Sequence, residues 1–145
     1  MQRKFVALFV AMPAVALLMT GLALAAEPAH GPLEEIMEKV QKNTNNIRKA
    51  TRTLPAWKKD QASVAKDATE LKELGEKTKK VTDYAKELKK PVAEWEKLSD
   101  DLIKTAGELA TLASKKDATQ PQAKEAFNAI NKSCTACHSV FRVEE

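Results

Sequence analysis

The sequence predicts an all-α fold, an antiparallel up-down-up-down four-helix bundle, on three observations. The 145 residues are rich in Ala, Lys, Glu and Leu and include only 4 glycines, a composition that favours helix. No convincing run of alternating β-branched residues marks a strand. Apolar residues recur at spacings of three and four in successive segments parted by proline or polar turns. Four amphipathic helices joined by short connections must run antiparallel to their neighbours.

The bundle is not expected to begin at residue 1. Arg3 and Lys4 precede an apolar run from Phe5 to about Leu24. "ALAA" (Ala23 to Ala26) then offers small residues where a signal peptidase cuts. Residues 1–25 therefore read as a secretory signal peptide and 26–145 as a single domain, with Ala26 the next choice of cleavage site. An uncleaved anchor competes, since about 20 apolar residues can span a bilayer. Pro13 and the Ala-x-Ala pattern favour cleavage, and the junction has no cysteine for a lipid. After cleavage no membrane contact is expected. Arg3 and Lys4 take two of the 24 basic residues with them, leaving 22 against 20 acidic. So nearly neutral a domain does not argue for nucleic acid.

Pro32 suits the start of the first helix. From there Leu33, Met37, Val40, Thr44, Ile47, Thr51 and Leu54 form one stripe, and Pro55 is expected to close the helix. The second helix is predicted from about Trp57 to Leu88, with Leu71, Leu74, Thr78, Val81, Ala85 and Leu88 facing inward. A break near Gly75 or after Lys80 is expected. "KKP" (Lys89 to Pro91) interrupts the pattern. The third helix turns Trp95, Leu98, Leu102, Leu109 and Leu112 to one side. Its Gly107 costs about 1 kcal/mol against Ala, which a close approach of backbone or ligand would explain, as would tolerance. Thr119 and Gln122 have capping-box spacing. The fourth helix then aligns Phe127, Ile130, Cys134, Cys137 and Phe141. Trp57 and Trp95 are expected to pack in the core or against a cofactor. The charged stretch "KDATELKELGEKTKK" reads as a solvated face with i,i+4 pairs.

The chemistry concentrates in "CTACHSVFR" (Cys134 to Arg142), which holds the only 2 cysteines and one of 2 histidines. C-x-x-C-H is a c-type haem attachment signature. Two thiols one turn apart can reach both vinyl groups along one porphyrin edge, and His138 comes next as the proximal iron ligand. Zinc would want about four ligands, and only Cys134, Cys137, His138 and His30 are on offer. A thioredoxin-like dithiol expects strands. A disulfide within one turn would be strained and close a tiny loop. One covalent haem c is the reading that remains strongest.

The second axial position needs a donor. Met1, Met12 and Met19 fall in the signal, so Met37 is the one methionine of the domain. In an antiparallel bundle the start of the first helix and the end of the last lie level. At about 1.5 Å per residue, Met37 and His138 both sit roughly 6–8 Å inside that end. Met37 is the expected distal ligand, His30 a weaker rival, and an ordinary core methionine the alternative.

A bundle with C-x-x-C-H on its last helix resembles the class II c-type cytochromes, the cytochrome c′ superfamily. "LEEIMEKVQKNTNNIRKA" (Leu33 to Ala50) is similar to the first helix of the non-covalent b-type cytochrome of that fold, which ligates haem through a first-helix Met and a last-helix His. The resemblance implies Met37 and His138 as ligands. It also implies Arg142 as candidate partner of a haem propionate, because "HSVFR" matches a motif of aromatic then basic residue. High-spin cytochromes c′ place an apolar residue over the sixth site. With Met37 there, this chain looks more like the low-spin, c-556-like branch.

The resemblance implies a periplasmic electron carrier, not an enzyme, that meets redox partner proteins. Homodimerisation through outer helix faces stays open. Binding of NO or CO at an open or displaceable sixth site is the alternative function.

Overall fold

The computed structural model describes residues 31–142, so the signal segment, its cleavage site and His30 lie outside the described residues. Five helices succeed one another: α1 (Pro32–Thr51), α2 (Leu54–Lys80), α3 (Asp83–Glu87), α4 (Val92–Ala113) and α5 (Gln120–Phe141). The four long helices pack in a ring, α1 on α2, α2 on α4, α4 on α5, and α5 back on α1. This is the expected four-helix bundle, with α3 inserted in one connection.

The ends of the helices are set by local chemistry. Pro32 occupies the first turn of α1, Glu34 and Glu35 meet the positive end of its dipole, and Arg48 and Lys49 the negative end. Contrary to expectation, Pro55 does not close α1 but lies in the first turn of α2. A proline ring clashes with the carbonyl four residues back, here Thr51, and α1 stops at that residue. Thr53 then caps α2, its hydroxyl accepting the Ala56 N–H at 3.4 Å. Leu54 therefore belongs to α2 and is 51% exposed.

The predicted second helix is two helices. It breaks after Lys80, where the Val81 N–H turns back to the Thr78 carbonyl at 3.0 Å, and it runs unbroken through Gly75. Lys89 takes a left-handed conformation (φ 54°). Lys89 and Lys90 N–H groups reach back to the Lys86 and Ala85 carbonyls, each at 2.9 Å, the pairing that ends a helix at a left-handed residue. At α5 the expected capping box forms: the Thr119 N–H donates to Gln122 Oε1 at 3.0 Å, and the Thr119 side chain accepts from the Gln122 backbone N–H.

The main core gathers Ile47, Trp57, Val64, Leu71, Leu109, Phe127 and Ile130. A second cluster of Ala85, Trp95 and Phe141 takes in Leu33, Tyr84 and Cys137. Both tryptophans are buried, as expected, with satisfied indoles. Trp57 Nε1 donates to Ala118 at 3.2 Å and Trp95 Nε1 to Thr78 at 2.9 Å, both to carbonyls. The close approach imagined at Gly107 occurs at Gly75 instead. A Cβ at Gly75 would lie 2.9 Å from Ile103 Cγ1, whereas one at Gly107 would meet only the Lys72 chain at 3.7 Å.

Candidate cofactor site

α1 and α5 touch less than any other neighbouring pair of long helices. Between them runs a slot of about 400 Å³, within the range of small-molecule sites. Met37 and Val40 line it from α1, Cys134 and His138 from α5, and Arg142 closes one end. The juxtaposition comes from register. Met37 stands five residues after the start of α1 and His138 three before the end of α5, and antiparallel packing brings those turns level. Four of the five expected site residues thus share one slot. Crevices of about 490 and 640 Å³ along other seams hold none of them.

The fifth, Cys137, falls outside the slot. At 100° per residue it is turned about 60° from Cys134, and it packs half-buried against the Trp95–Phe141 cluster. The two thiols are still neighbours. Burial first, then the nearby charge of Cys134, pushes the Cys137 thiol up to about 11. Burial likewise raises Cys134. Both are therefore protonated at neutral pH, and neither is in a disulfide.

His138 is shifted the other way. Partial burial, then the Arg142 guanidinium, lowers its pKa, so the ring is held neutral with a lone pair free, the form a metal ligand needs. The Arg142 N–H donates to the His138 carbonyl at 3.1 Å, as the cap of α5. Among the described residues no group of three or more His, Cys, Asp or Glu could hold a metal ion. A thioether and a neutral imidazole on facing helices, with a thiol beside them, do fit a haem of the c type.

The match to a known family agrees. The family model for Cytochrome C' covers residues 33–142, which is nearly all of the described chain. The chain belongs to the Cytochrome C' family. That membership implies a covalently bound haem c, and it makes the protein a haem-containing c-type cytochrome. No curated protein and no solved structure matches it significantly.

Sequence reasoning missed part of the cytochrome's site. Gln41 and Arg48 extend the slot along α1, opposite Asn131. They are polar residues at helical spacing from Met37, and the apolar stripe alone does not reveal them. An aromatic bracket also escaped notice. Trp95 meets Phe141 edge-to-face at 5.0 Å and Tyr84 at 5.8 Å. Lys90 lies over the Phe141 ring at 5.9 Å and donates to the Val140 carbonyl. These contacts pin the last turn of α5, which carries His138. Those that reach α5 join residues some fifty positions apart, a separation that no sequence motif spans.

Proposed function

We propose that this cytochrome carries one haem c ligated by His138 and Met37 and passes single electrons between redox partner proteins. The observation that supports it is the slot that Met37 and His138 share. Bound haem c supplies a one-electron iron couple, whose potential Met/His ligation raises. Cys134 and Cys137 would hold it to α5 by thioether bonds. His138 offers a neutral nitrogen and Met37 a sulfur that never ionises, so neither ligand must lose a proton to bind near pH 7. Arg142, at the end of the slot beside His138, suits a propionate carboxylate. If His138 and Met37 both hold the iron, no substrate need be bound, and the reading assigns no enzymatic turnover. Within the family this is the low-spin, c-556-like arrangement. Members are typically periplasmic, and the signal peptide read in residues 1–25 would deliver the chain there. Among the described residues no helix is long and apolar enough to cross a membrane.

Optical spectra of the ferric and ferrous protein, with and without carbon monoxide, test the ligation. Low-spin spectra that resist carbon monoxide are expected, and Met37→Ala should turn them high-spin and responsive. A wild-type high-spin spectrum that shifts at once with carbon monoxide would overturn Met37 as ligand and favour NO or CO binding as the function. Haem that washes away under denaturing conditions, with both thiols titrating free, would overturn covalent attachment.

A further inference from the structure

The pole of the bundle away from the slot joins two turns, α1–α2 and α4–α5. Gln120 Nε2 donates to the Thr51 carbonyl at 2.6 Å, and Gln61 Nε2 to those of Ala113 and Lys115 at 3.0 and 2.7 Å. These bonds make the turns one surface. Residues 49–60 and 114–125 carry seven basic side chains against three acidic ones, and all seven are exposed. The ion pairs among the described residues use Lys72, Lys79 and Lys86, none of them at this pole. At its tip Leu54 is the one exposed large hydrophobic among the described residues. It lies two residues from Arg52 and four from Lys58, beside an exposed Pro55.

Apart from Lys49, which meets the negative end of the α1 dipole, neither feature serves the fold. The cations form no ion pair among the described residues, and Leu54 leaves half its surface in water. We infer that this pole docks on a membrane surface carrying anionic headgroups. Its cations meet the headgroup phosphates, and Leu54 enters the boundary with the acyl chains. Six of the seven cations are lysines, flexible point charges suited to a fluid charged surface rather than to fixed carboxylates. An acidic protein partner fits less well. A protein interface covers roughly 800 Å² per partner around an apolar core, and one leucine supplies no such core. Met37 lies about 21 Å along α1 from Thr51, at 1.5 Å per residue. Docking by this pole therefore leaves the slot clear of the bilayer and open to partners in solution.

The test is flotation of the haem-loaded protein with phosphatidylglycerol–phosphatidylcholine vesicles, against phosphatidylcholine alone. Binding to the anionic vesicles only, released by high salt, is expected. Combined Lys58→Glu, Lys59→Glu, Lys115→Glu and Lys116→Glu should weaken it about a hundredfold or more, and Leu54→Ser roughly threefold to tenfold. Lys80→Glu with Lys89→Glu, near the other pole, should leave it unchanged. Haem absorbance and melting temperature report that each variant is folded. If the fourfold variant does not fold, the salt titration and Leu54→Ser decide. Undiminished binding by either pole variant, salt-insensitive binding, or no wild-type binding overturns the inference. So does retention on polyglutamate without vesicle binding, which would assign the pole to acidic proteins.

Discussion

The seams α2–α4 and α1–α5 join antiparallel amphipathic helices of similar length, yet they differ in what lines them. Across α2–α4, Gly75 lets Ile103 approach to where a Cβ would sit, and Leu71, Leu74, Leu102 and Leu109 are buried. Across α1–α5, Met37, Thr44, Cys134 and His138 face a slot and stay partly or largely exposed. The difference lies in what each stripe carries. Each seam carries a groove, of about 640 Å³ on α2–α4 and 400 Å³ on α1–α5, but only the second is lined by a thioether, a thiol and an imidazole, and that lining rather than the volume marks where something other than protein belongs.

Truncation on each side tests that contrast most strongly. Leu71→Ala should cost about 2–5 kcal/mol in denaturant unfolding, the range for a buried leucine that leaves a cavity. Met37→Ala in the haem-free chain should cost about 1 kcal/mol, since its side chain already borders empty space. Equal costs would mean that the α1–α5 seam is packed after all. A smaller effect is expected at Gly75. Gly75→Ala gains about 1 kcal/mol of helix propensity but forces overpacking that typically costs 1–3 kcal/mol, for a net loss of about 1 kcal/mol. Adding Ile103→Ala should remove the clash. A double-mutant cycle with no coupling would sink the close-approach account.

The smallest effect concerns Cys137, at the border of slot and aromatic cluster. Its thiol keeps its proton in the folded chain up to about pH 11, while the unfolded chain loses it near 8.5. Its folded pKa is raised, so the stability it contributes is complete below the unfolded value. That contribution fades as pH climbs through about 11. In the haem-free protein, alkylation of Cys137 should lag a free thiol and quicken only as pH approaches that value. Ready alkylation at neutral pH would show the thiol to be far more exposed than the packing against Trp95 and Phe141 allows.

Much of this protein was legible in one dimension. The four long helices, their antiparallel order and the inward faces of Trp57, Leu71 and Ile130 are given by spacing, because one turn of helix repeats every three to four residues. Capping at Thr119 and the Cys134, Cys137, His138 cluster are likewise contained within a turn or two. Boundaries were less legible. Pro55 reads equally well as the end of one helix or the start of the next, and the carbonyl it excludes, that of Thr51, is bonded by Gln120 at the start of α5, sixty-nine residues on.

Local order, then, was set by the sequence itself: helices, their faces, and a thiol pair beside a histidine on one turn. Tertiary packing alone decided that Gly75 rather than Gly107 is the point of close approach, that Met37 and His138 share a slot while Cys137 turns away, and that lysines from two distant turns share one pole with Leu54. Each of these depends on which helix lies opposite and at what height. Spacing along a single helix carries no information about either.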